Sequence, residues 1–207
     1  MNEISSIRSQ VYKILPHLFC YPEKPDISGA TVLTNQNEME DFKALGDTSV
    51  VPGIVDLLAL LEKAKLEDLQ VEYCGLFDYR PKCPPYEGAH RDIPKRNLIM
   101  VDLVRLYDKE GIVCPSTFPD HISAELAFMH FLSFNEASSS GNNPEKMAAI
   151  LHTEKEFMDE HLLKWVPDFC DCLNKNAELP FFTSLAMLTK EFILQDAEYI
   201  DSLLGEL

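Results

Sequence analysis

Apolar residues recur along this chain at helical spacing. Ile4, Ile7, Val11, Ile14, Leu15 and Leu18 fall on one side of a helix near the N-terminus. Tyr21-Pro22 should end that helix, because proline disfavours helix at the residue before it. Residues 22–37 mix Pro, Gly, Thr and Asn and predict a loop followed by a short helix. Pro52 suits the first turn of a second long helix, in which Ile54, Val55, Leu57, Leu58, Leu61 and Leu69 form a broad apolar stripe. Helix resumes near Pro94 and runs to about Glu110, where Gly111 can terminate it. Another begins at Asp120, whose carboxylate is placed to cap free amides, and carries Ile122, Leu126, Met129 and Leu132. The polar run 138–143 predicts a loop. Asn143-Pro144 then opens a helix carrying Met147, Leu151, Phe157, Leu162 and Trp165, which Pro167 interrupts. Pro180 opens the last helix, with Leu185, Leu188, Phe192 and Leu203 inside. Alternating runs bounded by hairpin turns are absent, and so are repeats. The pattern predicts an all-α fold, a single-domain bundle of six or more helices spanning residues 1–207.

Charge narrows the partners. Acids outnumber bases 34 to 18, a formal charge of −16, so a nucleic-acid backbone would be repelled. The imbalance is uneven: Glu72 to Glu110 holds seven acids and seven bases, whereas Glu145 onward holds thirteen acids and five Lys. No uncharged apolar run approaches the roughly 18 residues of a membrane span, and the N-terminal spacing is not that of a signal peptide. A cytoplasmic protein with reduced, buried thiols is therefore expected of the six Cys.

The usual catalytic patterns are incomplete. The eight Gly form no phosphate-binding loop. A di-iron bundle wants two Glu-x-x-His motifs, and only Glu87-x-x-His90 is present. Cys170-x-Cys172 lacks zinc-ligand spacing and a second Cys pair. No metal or cofactor is implied. Two features remain. Residues 72–88 pack three Pro and two Gly among Tyr73, Phe77, Tyr79 and Tyr86, a poor helix after Phe77 but a good contact surface. Asp120-His121 with Glu125 forms a polar spot at a helix start, with His121 and Glu125 four apart on one face.

Tyr73-x-x-Leu76-Phe77, then Cys83-Pro84-Pro85-Tyr86-Glu87-Gly88, then Pro119-Asp120-His121-Ile122-x-x-Glu125-Leu126-x-Phe128-Met129 resemble, in order and interval, the TorD/DmsD/NarJ family of molybdoenzyme maturation chaperones. The segment from Arg96 to Tyr107 resembles the helix between those motifs, and His161-Leu162-x-x-Trp165-Val166-Pro167-x-Phe169 resembles a later signature. The form of the proline loop is similar to that of chaperones serving type II enzymes of the dimethyl-sulfoxide-reductase superfamily. The resemblance implies a TorD-like helical fold, no catalytic activity and no cofactor of its own. Its implied partner is the apo form of a molybdopterin oxidoreductase catalytic subunit, held by its N-terminal leader, often a twin-arginine signal, until the cofactor is inserted. Either a monomer or a domain-swapped homodimer fits the family. Asp120 and Glu125 could take leader arginines. Tyr73, Leu76, Phe77, Pro85 and Tyr86 could cover the apolar part, and Pro84, Glu87 and His121 complete the expected client-binding set. The alternatives are a metal-dependent helical enzyme and a generic interaction module.

Overall fold

The computed structural model describes residues 3–23, 50–91, 95–113, 118–139 and 144–206. Among them the elements in chain order are α1 (Glu3–Leu18), α2 (Val50–Lys63), α3 (Leu66–Phe77), α4 (Glu87–His90), α5 (Arg96–Lys109), α6 (Ile122–Ser139), α7 (Pro144–Phe157), a π-helical turn (Met158–Leu162), α8 (Leu163–Asn176) and α9 (Pro180–Gly205). The fold is all-α. The described residues contain no strand, only an isolated antiparallel bridge between Tyr86 and His121. No described helix is long and apolar enough to cross a membrane. The predicted loop and short helix at 22–37 and the helix start at Pro94 lie largely or wholly outside the described residues; of the loop predicted at 138–143, Ser138 and Ser139 are instead the last residues of α6 and the rest lies outside the described residues.

The predicted stripes largely coincide with the buried faces, although Ile4 is exposed and Val55 half-buried. Ile7, Val11, Ile14, Leu15 and Leu18 of α1 are buried, and α1 lies along α6. Ile122, Leu126, Phe128, Met129 and Leu132 fill the centre of α6. α9, at 26 residues about 39 Å long, backs α2, α7 and α8. One apolar cluster runs through α1, α2, α3, α5, α6, α8 and α9, and includes Phe157 at the end of α7.

α3 stops at Phe77, as the prolines beyond it require. Two boundaries differ from expectation: the stripe predicted as one helix from Pro52 through Leu69 is split between α2 and α3, and Pro167 lies inside α8 instead of interrupting it. The amide it lacks would have bonded Leu163, the first residue of that helix, so the ladder loses a bond only at its start. The helix instead changes its winding at the π turn just upstream and runs on without a break.

A buried ionic knot fixes α1 in the bundle. The Arg8 guanidinium donates to Glu136 (2.8 Å) and Glu154 (2.7 Å) and to Asp196, so α1 is tied to α6, α7 and α9. Ser5 donates to Glu136 (2.7 Å) and Tyr12 to Asp196 (2.7 Å). Three acids face one arginine. Burial, outweighing Arg8, pushes the Glu154 carboxyl up to about 7, and its Oε1 has no partner.

Candidate functional site

The proline loop returns against the start of α6. Cys83 N–H donates to Leu76 O (2.9 Å), closing the chain back on α3. Glu87 N–H then donates to Asp120 O (2.8 Å), and Ile122 N–H to Pro85 O (3.0 Å). These two bonds clamp Pro85-Tyr86-Glu87 to Asp120-His121-Ile122. The two motifs, 35 residues apart from Tyr86 to His121, are thus one structural unit.

Beneath the clamp lie three carboxyl groups, Glu87, Asp120 and Glu125, each 0% exposed. Asp120 Oδ2 accepts from Arg96 Nε (3.1 Å) and from Gly88 N–H (3.4 Å). Glu87 Oε1 accepts from Arg91, and its Oε2 lies 3.0 Å from His161 Nδ1. Arg91 also donates to Glu160 O (2.9 Å). The π turn presents both His161 and that carbonyl to α4, a common use of such turns. Glu125 Oε2 accepts the Trp165 indole N–H (3.0 Å), while its Oε1 has no partner. Two guanidinium groups therefore serve three acids, and Glu125 is the one without a cation. Burial, aided by the neighbouring Glu87 charge, raises its pKa well above the ordinary carboxyl value.

A carboxyl raised in this way is destabilising once the pH passes its unfolded value, because the unfolded chain ionises freely and the folded one does not. Glu125→Gln keeps an acceptor for Trp165 and removes the titration. It is expected to change stability by less than about 1 kcal/mol near pH 5 and to be the more stable form near pH 8. Urea unfolding at both pH values checks this; a gap that does not widen with pH would mean that Glu125 is ionised in the native state.

His121 lies just before α6, where its carbonyl accepts Glu125 N–H (3.2 Å), its Nδ1 accepts Ser123 N–H (3.1 Å) and that nitrogen sits 2.7 Å from the Ser123 hydroxyl. The imidazole thus makes the cap expected of Asp120, whose own carboxylate turns inward to Arg96. Burial lowers the His121 pKa to about 4, so it stays neutral and keeps that lone pair. Tyr86 packs edge-on to His121 (5.1 Å) and Phe118 (5.5 Å), with Arg96 5.0 Å above its ring.

The other predicted residues divide by burial. Leu76, Phe77 and Pro85 are buried, with Phe77 against Phe169 and Phe182. Tyr73 is half-buried between Tyr21 and Phe77, and its hydroxyl donates to Phe19 O (3.3 Å). Pro84 is half-buried, its carbonyl 2.7 Å from His90 Nε2. Cys83 is bonded to Cys172 of α8, which corrects the expectation of reduced thiols: loop and helix bring the two Cα atoms to 5.8 Å, within disulfide reach. Sequence reasoning assigned no role to Arg91 and Arg96, because nothing in their local pattern points to acids elsewhere in the chain.

Next to the clamp is an apolar groove of about 460 Å³. Pro16 and His17 in α1's last turn, with Cys20 just past it, form one wall, Ile112 and Val113 another, and Ser123, Ala124 and Ala127 of α6 the floor. Small residues at the floor leave its space open. Ser123 belongs to both groove and His121 cap, so the two are continuous. Among the described residues, no group of three or more His, Cys, Asp or Glu is arranged to hold a metal ion.

The nitrate reductase delta subunit family matches residues 44–171, and the chain belongs to it, among the TorD/NarJ-type maturation chaperones. It is 25% identical over 98% of its length to the perchlorate reductase assembly chaperone protein of Dechloromonas aromatica, covering 92% of that protein. It is 29% identical to the chaperone protein TorD of Photobacterium profundum, over 73% of this chain and 71% of that one. The crystal structure of a redox enzyme maturation protein from Archaeoglobus fulgidus shares the fold, with a TM-score of 0.58 at 24% identity over 90% of this chain and 93% of the other. The protein is a maturation chaperone and not an enzyme.

Proposed function

We propose that this chaperone works in the cytoplasm on the apo form of a molybdopterin oxidoreductase catalytic subunit, and that it receives that subunit's N-terminal leader in the groove between α1, α5 and α6. The observation that carries this reading is the continuity of the apolar groove with the Tyr86–His121 clamp. A leader with arginines ahead of an apolar stretch needs one polar and one apolar surface, side by side. The groove offers the apolar surface, and the half-buried Tyr86 and His121 mark the junction. Tyr73 and Pro84 flank the same loop. Leu76, Phe77 and Pro85 act from below by holding the loop's shape. Glu87 and Asp120 supply the charge that arginines seek, and Glu125 holds Trp165. A leader that orders on binding loses entropy, so its affinity should be moderate and its release easy.

Ala127 lies exposed on the groove floor. Ala127→Trp fills the groove without touching the core. It is expected to weaken leader binding more than about tenfold, while the helical circular dichroism stays unchanged. Calorimetric titration of a leader peptide from a neighbouring reductase gene measures it; undiminished binding by this variant would move the site elsewhere.

A further inference from the structure

The carboxylates assigned to the leader's arginines are already occupied by arginines of this chain. Arg96, at the start of α5, contacts Asp120 through both Nε (3.1 Å) and Nη2 (3.5 Å), and its guanidinium lies over Tyr86. Arg91, just past α4, contacts Glu87. Both acids are fully buried, yet the two arginine side chains are 35% and 30% exposed. They plug the acids from the solvent side. An incoming guanidinium can reach Asp120 or Glu87 only by taking the place of one of them.

We propose that Arg96 and Arg91 are internal stand-ins for the arginines of a client leader, holding the carboxylates in the free chaperone and giving them up when the leader binds. The inference rests on the leader reading above and adds its regulation. The exchange swaps one arginine–carboxylate pair for another, so no buried acid is left without a cation at either end of the process. It makes the polar part of binding nearly neutral and leaves net affinity to the groove. It also filters clients. A leader without arginines cannot compensate Asp120 and leaves the plug in place, whereas lysine offers a point charge without the two-pronged contact that Arg96 makes.

Gly88 supports this role for Arg96. A Cβ on Gly88 would lie 2.3 Å from Arg96 Cγ and 3.0 Å from its Cβ and Cδ. The stem of Arg96 therefore lies flat on the glycine of the Cys-Pro-Pro-Tyr-Glu-Gly motif. That explains a glycine at the start of a short helix where no positive φ demands one. Gly88→Ala should push Arg96 off Asp120 while leaving every charge in the chain.

The test uses the full chain and two synthetic peptides, a twin-arginine leader and the same leader with both arginines replaced by glutamine. Titration calorimetry is run on the native protein, Gly88→Ala and Arg96→Gln, each first shown to keep its helical signal and cooperative melting. Freeing the acid removes the population penalty on the binding-competent state, so both variants are expected to bind the arginine leader about five- to tenfold more tightly than the native chain. The glutamine leader should show no such gain. If both variants bind the arginine leader no better than the native chain does, while that chain binds it well, the stand-in idea is overturned and the leader reading survives. If neither the native chain nor the variants bind either peptide, both fail. Gly88→Ala, which keeps every charge in the chain, carries the decision when the two disagree.

Discussion

Arg8→Met is expected to lower the unfolding free energy by about 3–5 kcal/mol, which for a chain of this size is a drop in melting temperature of roughly 6–20 °C. Arg8 is buried among Glu136, Glu154 and Asp196, and methionine matches its length without its charge. Removal leaves three acids with no cation. The cost is that of uncompensated buried charge and exceeds what a surface pair would contribute. The pH dependence follows from Glu154. Its folded pKa of about 7 already lies above the unfolded value, so in the native chain stability falls as pH rises through that interval. Without Arg8, which pulls that pKa down, the folded value climbs further and the decline continues to higher pH. The variant's deficit should therefore grow between pH 6 and pH 8, and adding Glu154→Gln should recover part of it. Urea unfolding followed by circular dichroism measures all of this. A loss below about 1 kcal/mol would show that water relieves the stranded acids. Under the leader reading proposed above the consequence extends to binding, because Pro16, His17 and Cys20 at the far end of the same segment wall the groove.

Arg8 also shows where the sequence becomes silent. The stripe Ile7, Val11, Ile14, Leu15 and Leu18 is legible because periodicity is a local property, and each of those residues is buried. The charge set into that stripe is equally visible, but its partners are 128 to 188 positions away, and no spacing rule connects them. The site divides in the same way. Residue order and turn chemistry mark Pro84 to Gly88 and Asp120 to His121 as unusual, and resemblance joins them. What they touch was not legible. A carboxylate that recognises an outside arginine and one that binds an inside arginine have the same letter. Asp120 looks like a helix cap in sequence because aspartate caps well. Arg96 claims it, and His121 takes over the cap because its neutral imidazole offers a lone pair to Ser123 N–H. The groove has no sequence signature at all. Its floor of Ser123, Ala124 and Ala127 reads as ordinary helix, and only the separation of α1 from the residues after α5 opens it.

Reducing the Cys83–Cys172 bond is expected to cost the folded state about 2–4 kcal/mol, somewhat less than the roughly 4–5 kcal/mol that chain entropy alone assigns to so long a loop, since measured values usually fall short. The bond joins positions 89 residues apart and so restricts most of the unfolded chain between α3 and α8. Cys83→Ala with Cys172→Ala should show the same loss in urea unfolding, and dithiothreitol should then have no further effect on it. Thiol titration in denaturant provides the control: reduction should expose two more thiols in the native sequence and none in the variant. An unchanged thiol count would show that the pair is not oxidised in the purified protein. Because Lys82 and Cys83 also bond through their amides to Gly75 and Leu76, the loop should loosen without melting. The added hydrogen exchange should therefore concentrate at residues 78–86, beside the clamp that holds Tyr86 against His121. Cys172 is half-buried and Cys83 fully buried, so a reductant must approach from the α8 side. Thiolate attack at Cys172 Sγ would then release Cys83, the residue whose position sets the start of Pro84-Pro85-Tyr86.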